Sequence, residues 1–278
     1  MQIDTYSTNK AIGGMKIKDF FRIPARFRAH GATSGIGFGY ENPELLNSIK
    51  VKTKNYVSQI QSGLLGAESF RTLAAIGLMQ GKKNLSVIDF GGSFGAHQAA
   101  AKRLFPQTDF LWVVVETPGL VGATSSDENR DGLHFQSTLE EAAAMSSKID
   151  LVIANASIHY TADPLETLAE IVDLGAEYMF ITRTPLTNDL GSKQILQDSK
   201  LSSNGPGIMA TQNSNTYVRY PAVITNKKDF ESILLSKYLI LATFIEDLVT
   251  FTKSGEKFQT YGYFCRNLSA DSVNQFRD

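Results

Sequence analysis

The sequence predicts an α/β fold with a mostly parallel sheet and helices on both of its faces. Short apolar runs of strand length alternate with helix-forming segments between residues 85 and 182. Uninterrupted apolar strands are typical of parallel sheets that helices cover on both faces. The chain has 278 residues, of which 42% are hydrophobic, so it can form one large domain of this class.

The predicted strands and helices alternate in the order that such a sheet requires. The strands are Leu85 to Phe90, Asp109 to Glu116, Leu133 to Gln136, Ile149 to Asn155, Glu177 to Thr182, Leu239 to Asp247 and Phe258 to Arg266. The helices that connect them are Ala96 to Leu104, Leu139 to Met145, Pro164 to Leu174 and Lys227 to Ser236. Right-handed crossovers between the parallel strands then fix most of the topology.

Residues 1–80 are predicted to be an N-terminal extension with capping helices, and residues 81–278 are predicted to be the main domain. Two helices are expected in the extension, Pro43 to Ser62 and Ala67 to Gln80. Apolar residues at helical spacing predict one buried stripe along the first of them, made of Leu45, Leu46, Ile49, Val57 and Ile60.

Three other segments have no clear periodicity. Lys10 to Arg28 mixes basic and aromatic residues. It is either a lid or patch for an anionic substrate or membrane surface, or an extension that packs its aromatic rings on the main domain. Gly31 to Tyr40 is rich in glycine but has no strand before it, which predicts a flexible loop near the site mouth. Thr184 to Pro221 is rich in Ser, Asn, Gly and Thr, and we expect a substrate loop without regular structure.

Composition argues against several classes of protein. The formal net charge of −1 gives no basis for nucleic-acid binding, and no apolar run approaches the roughly 20 residues of a membrane span. The single cysteine, Cys265, excludes a disulfide within the chain and a cysteine-cluster metal site. His30, His97 and His134 are scattered, so we expect no metal. The N-terminal residues lack the apolar core of a signal peptide, so we expect a cytoplasmic protein.

The stretch Asp89 to Gly95 combines a strand end, a glycine turn and a helix start. In an open α/β sheet, ligands bind in the crevice beyond the carboxyl ends of the strands, and glycines let a ligand approach the backbone closely. Ser93 and Ala96 stand where the G-x-G-x-x-G spacing of a nicotinamide dinucleotide site requires glycine. Glu116 ends the second strand, where a carboxylate can accept both ribose hydroxyl groups of a nucleoside.

The pattern from Asp89 to Gly95 resembles the first motif of class I S-adenosylmethionine-dependent methyltransferases. That motif is usually an acid followed by x-G-x-G-x-G, and Ser93 replaces its middle glycine. The segment from Asp150 to Tyr160 resembles the fourth-strand segment of the same class. Further motifs are similar to a little-characterised bacterial methyltransferase-like family associated with surface-polysaccharide genes: Phe90 to Gly95, Val114 to Pro118, Thr182 to Pro185, Tyr220 to Ala222 and Asn226 to Phe230. The similarity extends from about Gly37 to the last strand, and this family often has Asp where the chain has Thr182.

This resemblance implies a Rossmann-like seven-stranded methyltransferase sheet that binds S-adenosyl-L-methionine. The residues implied in cofactor binding are Asp89, Gly91, Gly92, Ser93 and Gly95 around the methionine and ribose, Glu116 on the ribose, Gln136 and Ser137 near the adenine, and Asn155 at the end of the fourth strand. The implied reaction is methyl transfer to an oxygen or nitrogen atom of a small molecule, such as a sugar or polysaccharide precursor. Aligning the nucleophile can supply much of the acceleration of such a reaction.

Four residues are candidates for the acceptor side of the site. His159 follows the fourth strand and is the candidate general base, because histidine titrates near neutral pH. Arg183 can clamp a carboxylate or phosphate with its guanidinium group. Tyr160 and Tyr40 are candidates for lining the substrate pocket. Each of the four also has a purely structural alternative, as a packed histidine, an ion pair or a core tyrosine.

Two other functions are compatible with the sequence. One is a nucleoside-binding or scaffold protein that has the fold without turnover, which Thr182 and Ser93 favour. The other is a nicotinamide-dependent oxidoreductase, which Ser93 and Ala96 disfavour because they interrupt its glycine spacing.

Overall fold

The computed structural model describes residues 43–66, 69–79, 81–124, 131–200, 204–207, 217–246, 250–251, 255 and 257–270. The strands in chain order are β1 (Asn84–Phe90), β2 (Asp109–Val115), β3 (Leu133–Gln136), β4 (Leu151–Asn155), β5 (Tyr178–Thr187), β6 (Lys193–Lys200), β7 (Tyr217–Asn226), β8 (Tyr238–Ile245), β9 (Thr250–Phe251) and β10 (Lys257–Asn267). The α-helices are α1 (Pro43–Gln61), α2 (Ser69–Gly77), α3 (Ala96–Leu104), α4 (Pro118–Ala123), α5 (Leu139–Ala144), α6 (Pro164–Asp173) and α7 (Lys227–Leu235). Short 3-10 helices span Ile158–Tyr160 and Leu268–Ala270.

Seven strands form one continuous path in the spatial order β3-β2-β1-β4-β5-β10-β8. Strands β3, β2, β1, β4 and β5 are parallel to one another, whereas β10 runs antiparallel to both β5 and β8. The predicted α/β class is therefore confirmed, and the seven predicted strands form this path; β6, β7 and β9 lie off the path and bring the described sheet to ten strands. Because β10 lies between β5 and β8, the order differs from the 3-2-1-4-5-6 order of dinucleotide-binding sheets.

The central strands are apolar on both faces, as the sequence predicted. In β2, Trp112 and Val114 pack into one hydrophobic cluster, while Val113 and Val115 pack into another. Successive side chains of a strand point to opposite faces of the sheet, so these two clusters are the layers above and below it. Each central strand is buried on both sides, which fixes the positions of the strand ends relative to one another.

Most predicted elements begin and end within two residues of the observed ones, and α3 and β3 have the predicted bounds. The five apolar residues of the predicted stripe on α1 are all buried. Two helices differ from expectation, because α2 is shorter than predicted and α4 was not predicted. The segments Lys10 to Arg28 and Gly31 to Tyr40 lie outside the described residues, so the interpretations of both stay predictions.

The expectation of an unstructured loop from Thr184 to Pro221 is wrong for the part of it that the structure describes. β5 continues to Thr187, β6 pairs antiparallel with β7, and β7 pairs in parallel with the end of β5. Polar residues dominate β6, which conceals its strand character, and Pro221 disfavours a strand assignment for β7. A period-two signal is nevertheless present in the first half of β7, where Val218, Tyr220 and Ala222 are buried and Arg219 is exposed.

Helix α1 covers α3 and the β6–β7 hairpin, next to the carboxyl ends of the parallel strands. Leu45 near its start shares a hydrophobic cluster with Tyr220 of β7, and Ile60 near its end shares one with Ala100 of α3. The helix therefore joins the hairpin to the main sheet through two separate patches of apolar contact.

A buried lysine strengthens this contact. Lys52 is only 4% exposed, and its ammonium group donates to the backbone carbonyl oxygens of Asn204 at 2.7 Å and Gly205 at 3.2 Å. A buried ammonium group needs such acceptors, because burial of an unsatisfied charge is very costly. Lys52 therefore ties the segment 204–207, which lies between β6 and β7, to α1.

Replacement of Lys52 by Met should lower the free energy of unfolding by about 1–3 kcal/mol, because two carbonyl oxygens lose a charged donor. Lys54→Met, on the exposed face of the same helix, is the matched control and should change that free energy by less than about 0.5 kcal/mol. Urea unfolding followed by the fluorescence of Trp112, the single tryptophan, measures both variants. Equal losses in the two variants would contradict the role assigned to Lys52.

Candidate functional site

The carboxyl ends of β3, β2, β1, β4 and β5 lie side by side at one edge of the sheet, which we call the candidate site. The predicted site residues that the structure brings to this edge are Gln136 and Ser137 after β3, Glu116 after β2, Asp89 and Gly91 to Gly95 at β1, Asn155, His159 and Tyr160 at β4, and Arg183 within β5. Tyr40 lies outside the described residues, and its role stays a prediction.

The turn after β1 is packed so closely that it requires glycine at two positions. Gly91 has a φ of 72° and donates its N–H to the carbonyl oxygen of Val115 at 2.9 Å. A Cβ on Gly91 would lie 2.3 Å from the Cβ of Ser157, and a Cβ on Gly92 would lie 2.4 Å from the carboxyl group of Asp89. The turn therefore lies directly against the loop that follows β4 and against the Asp89 carboxyl group, and only glycine allows this close packing.

Three described residues other than glycine have a left-handed backbone, and all three lie at the candidate site: Ser93 (φ 54°), Ala156 (φ 54°) and Arg183 (φ 55°). This conformation costs an L-residue roughly 1–2 kcal/mol, and strain of this kind gathers at functional sites. Ser93 therefore has the backbone conformation that the glycine of the methyltransferase motif would favour. Gly95, with a φ of 75°, precedes α3 directly.

Glu116 lies beside this turn at the end of β2. Its carboxylate accepts the N–H of Ser93 at 3.0 Å and the N–H of Thr117 at 3.1 Å. Burial raises the pKa of Glu116 from 4.5 to about 7; the two hydrogen bonds oppose this increase, and the nearby carboxylate of Asp89 adds to it. Further hydrogen-bond donors, such as the two hydroxyl groups of a ribose, would favour the charged form.

Gln136 and Ser137 lie at the end of β3, where the sequence predicted them. The Gln136 amide group donates to the sulfur of Met145 at 3.4 Å, and the Ser137 N–H donates to the Glu141 carboxylate at 3.2 Å. The carbonyl oxygen of Gln136 accepts the N–H of Glu116 at 3.1 Å. These contacts hold the end of β3 against α5 and β2, and a role beside an adenine ring stays a prediction.

Asn155 ends β4, and its side chain connects β5 with α3. Its carbonyl oxygen accepts the hydroxyl group of Thr182 at 2.7 Å and the Nε–H of Arg183 at 2.9 Å. Its amide nitrogen lies 3.2 Å from Nε2 of His97. Protein groups therefore hold the Asn155 side chain on both sides, while its predicted contact with a cofactor stays untested.

Arg183 occupies a bulge in β5. The register between β5 and β10 shifts between Tyr261 and Tyr263, so Thr182 and Arg183 lie opposite the single residue Gly262. A bulge bends its strand and re-aims a side chain. Here it places an exposed arginine at the candidate site, although its predicted role as a clamp for an anionic group stays untested.

Glu246, which follows β8, holds the strained backbone of this bulge in place. Its carboxylate accepts the N–H of Arg183 and the Nε–H of Arg71, the latter at 2.8 Å. The left-handed conformation of Arg183 is therefore supported by a carboxylate that follows β8, the strand beyond β10 in the sheet.

His159 lies in the 3-10 helix Ile158–Tyr160 after β4 and is 5% exposed. Burial, together with the positive charge of Arg183, lowers the pKa of His159 from 6.5 to about 3. The ring is therefore neutral near pH 7 and accepts a proton only weakly. Burial disfavours the charged form of His159, so this candidate general base is much less basic than an ordinary histidine. The neutral ring can still form hydrogen bonds.

Tyr160 connects the loop after β4 to the β6–β7 hairpin. Its ring centroid lies 3.9 Å from that of His159 and 5.3 Å from that of Tyr220, and its hydroxyl group donates to Gln197 at 3.2 Å. Burial raises the pKa of Tyr160 well above 10, so the hydroxyl group stays protonated. These contacts agree with the structural alternative for Tyr160, and contact with a substrate stays a prediction.

Three buried polar atoms at the candidate site lack a hydrogen-bond partner among the described residues: Oγ of Ser93, Oγ of Ser157 and Nδ1 of His159. Thr53 on α1 and Thr225 on β7 have the only other such side-chain atoms in this part of the chain. Buried polar groups are almost always hydrogen-bonded. Three of the five such unpartnered atoms among the described residues therefore lie at this one edge of the sheet.

Two side chains beneath the turn, His97 and Trp112, were not predicted from the sequence to belong to the site. The Asp89 carboxyl group is 0% exposed; it accepts the indole N–H of Trp112 at 3.1 Å and lies 3.0 Å from Nδ1 of His97. Asp89 therefore connects the glycine turn to β2 through Trp112 and to α3 through His97. His97 looked isolated because no acid accompanies it on α3, but the acid that it contacts, Asp89, lies eight residues earlier, near the end of β1.

Among the described residues, no group of three or more His, Cys, Asp or Glu side chains could hold a metal ion. No helix in the same ranges has the length and apolarity needed to cross a membrane.

No protein-family model and no curated protein matches this chain. Among solved structures, the N-terminal domain of EvdMO1 with SAH bound is 12% identical, with 73% of this chain and 82% of that chain covered and a TM-score of 0.44. An S-adenosylmethionine-dependent methyltransferase from Clostridium acetobutylicum ATCC 824 is 11% identical, with 78% and 98% covered and a TM-score of 0.41. The PH0226 protein from Pyrococcus horikoshii OT3 is 12% identical, with 83% and 100% covered and a TM-score of 0.45. These similarities are distant, and the fold assignment follows from the strand order of the chain itself.

Replacement of Gly91 by Ala should destabilise the protein by about 2 kcal/mol or more, because it adds a strained backbone to a steric clash with Ser157. Gly122→Ala in α4 is the matched control, since nothing lies within 4 Å of the added Cβ, and it should stabilise the helix by up to about 1 kcal/mol. Urea unfolding followed by Trp112 fluorescence measures both changes. A Gly91→Ala protein as stable as the control would show that the turn is looser than described.

Glu116→Gln should stabilise the folded protein above pH 7 and have little effect below pH 4.5. The pKa of Glu116 is raised from 4.5 to about 7 on folding, so the stability that this group contributes is lost as the pH rises between these values. Gln resembles the protonated carboxyl group and does not titrate, so the gain should reach about 1–3 kcal/mol above pH 7. Urea unfolding from pH 4.5 to pH 8 tests this, and a gain that does not vary with pH would contradict it.

Proposed function

We propose that this protein binds S-adenosyl-L-methionine at the candidate site and transfers its methyl group to an oxygen or nitrogen atom of a small molecule in the cytoplasm. The observation that supports this best is the position of Glu116, whose carboxylate meets the N–H of Ser93 in the glycine turn. A carboxylate at the end of β2, beside a close-packed turn after β1, is the arrangement that a nucleoside with a free ribose diol requires.

The residues at the site fit such a ligand. Gly91 and Gly92 let the turn pack against Ser157 and Asp89, and the hydroxyl groups of Ser93 and Ser157, which have no partner among the described residues, would bond to the polar methionine end of the cofactor. Glu116 would accept the ribose hydroxyl groups. Gln136, Ser137 and Asn155 would complete the cofactor site, as the motif resemblance implies.

A nicotinamide cofactor fits less well. Ser93 and Ala96 interrupt its glycine spacing, and β10 lies inside the sheet where the dinucleotide-binding order has none. These two observations are independent, and both disfavour the oxidoreductase alternative.

The cofactor, when bound, supplies a methyl group that its sulfonium centre has already activated. The chain's own contribution would then be positioning: Arg183 would hold an anionic or polar group of the acceptor, and His159 would form a hydrogen bond with the acceptor. Because the pKa of His159 is about 3, we attribute the acceleration mainly to alignment of the nucleophile and not to strong base catalysis. The proposed acceptor is a sugar or a polysaccharide precursor, on the strength of the motif resemblance.

The alternative is a protein that binds the cofactor without turnover. The weak basicity of His159 and the presence of Thr182, where the similar family often has Asp, favour this alternative. Labelled S-adenosyl-L-methionine distinguishes the two functions, because an enzyme transfers the label to small molecules of a cell extract and a binding protein does not.

S-adenosylhomocysteine should bind to the protein in titration calorimetry, and Glu116→Ala should weaken this binding by about 1–3 kcal/mol through the loss of charged hydrogen bonds. The affinity should also rise about tenfold from pH 6 to pH 8, because the pKa of Glu116 is about 7 and only the ionised carboxylate accepts both hydroxyl groups. Glu116→Gln should abolish this rise.

Glu170→Ala is the control for the change in charge, since Glu170 is exposed near the end of α6, and it should bind S-adenosylhomocysteine like the wild type. Absence of binding at millimolar ligand would contradict the cofactor assignment. Binding that is equally strong in Glu116→Ala would contradict the role of Glu116.

A further inference from the structure

A continuous set of hydrogen-bonded side chains crosses the candidate site. It consists of Asp89, His97, Asn155 and Arg183, and we call it the relay. Nδ1 of His97 lies 3.0 Å from the Asp89 carboxyl group, and Nε2 of His97 lies 3.2 Å from the Asn155 amide nitrogen. The Asn155 oxygen accepts Nε–H of Arg183 at 2.9 Å. The relay therefore extends from the end of β1 through α3 and β4 to the bulge of β5.

The orientation of the Asn155 amide group follows from the donors around it. Nε of Arg183 can only donate a hydrogen bond, so the group of Asn155 that faces it must be the oxygen. The hydroxyl group of Thr182 donates to the same oxygen at 2.7 Å. The amide nitrogen of Asn155, which can only donate, must then face His97.

This orientation determines which nitrogen of His97 carries the proton. Nε2 of His97 faces an amide donor, so it must be unprotonated and act as the acceptor. Nδ1 then carries the proton and donates to the Asp89 carboxyl group, as a histidine does when a carboxylate sets its tautomer. The indole N–H of Trp112 occupies another position on the same carboxyl group at 3.1 Å.

We propose that His97 is a positioning residue that holds the Asn155 amide group in the orientation that presents its oxygen to Arg183. The reversed amide would place its NH₂ group against the Arg183 Nε–H and its oxygen against the lone pair of Nε2. Both contacts would be lost, and Arg183 would lose an anchor at its strained backbone. The effect of this amide orientation on methyl transfer rests on the proposed function. The tautomer of His97 follows from the hydrogen bonds alone and does not depend on that function.

Nitrogen NMR of the histidine side chains tests the tautomer in the wild-type protein. The chain has four histidines, and His97→Gln identifies the signals of His97 by their disappearance. From these contacts we expect the proton on Nδ1 and an unprotonated Nε2. A ring with its proton on Nε2, or one protonated on both nitrogens, would overturn the proposal.

The Arg183 Nε–H signal tests the positioning role, because a hydrogen bond to Asn155 slows its exchange with water. His97→Leu removes the donor and the acceptor at similar size, whereas His97→Gln restores one of each. We expect slow exchange in the wild type and in His97→Gln, and fast exchange in His97→Leu. Slow exchange in His97→Leu, or fast exchange in His97→Gln, would overturn the proposal.

Gln98→Leu is the control for a general loss of stability. Gln98 neighbours His97 on α3, and its amide group donates to the carbonyl oxygen of Asp131 at 3.0 Å, away from the relay. This variant should keep the slow exchange of Arg183. Fast exchange in Gln98→Leu would show that the signal follows stability, which would also overturn the proposal.

Binding of S-adenosylhomocysteine connects the relay to the proposed function. If the wild type binds it, His97→Leu should weaken the affinity about 2- to 30-fold, and His97→Gln and Gln98→Leu should not. Equal affinity in all variants would overturn the functional role of His97. If the wild type does not bind it, the proposed function fails, while the Arg183 signal still decides whether His97 positions Asn155.

Discussion

The candidate site depends on one buried group, the carboxyl group of Asp89. A carboxyl group without exposure needs hydrogen-bond partners, because its burial otherwise costs several kcal/mol. Trp112 on β2 and His97 on α3 provide these partners, and the backbone of Gly92 lies directly against the carboxyl group. A strand end, its neighbouring strand, a glycine turn and the start of a helix are thereby fixed around a single side chain.

The sequence was sufficient to predict the sheet and most of the edge that carries the site, because apolar runs and glycine turns depend on near neighbours in the chain. It was not sufficient for properties that distant residues create. The low pKa of His159 arises from burial and from Arg183, and the contacts of His97 arise from β1 and β4. The β6–β7 hairpin was missed for a similar reason, since the polar strand β6 is stabilised by its pairing with β7 and not by its own pattern.

The candidate site combines several features that lower stability. Ser93, Ala156 and Arg183 have strained backbones, and burial raises the pKa of Glu116. Glycine would be more stable at the left-handed positions, and a non-polar residue would be more stable at the buried position of Glu116. Functional sites often retain residues that lower stability. Their concentration at the carboxyl edge of the sheet agrees with the motif resemblance in locating the function there.

The antiparallel strand β10 constrains the order in which the protein can assemble. It follows the other described strands in the chain, yet it pairs with β5 inside the sheet and lies opposite the bulge that contains Arg183. Domains generally fold as units, so the sheet can be completed only after β10 has left the ribosome. The bulge that places Arg183, and the attachment of β8 to the sheet through β10, therefore both wait for this strand.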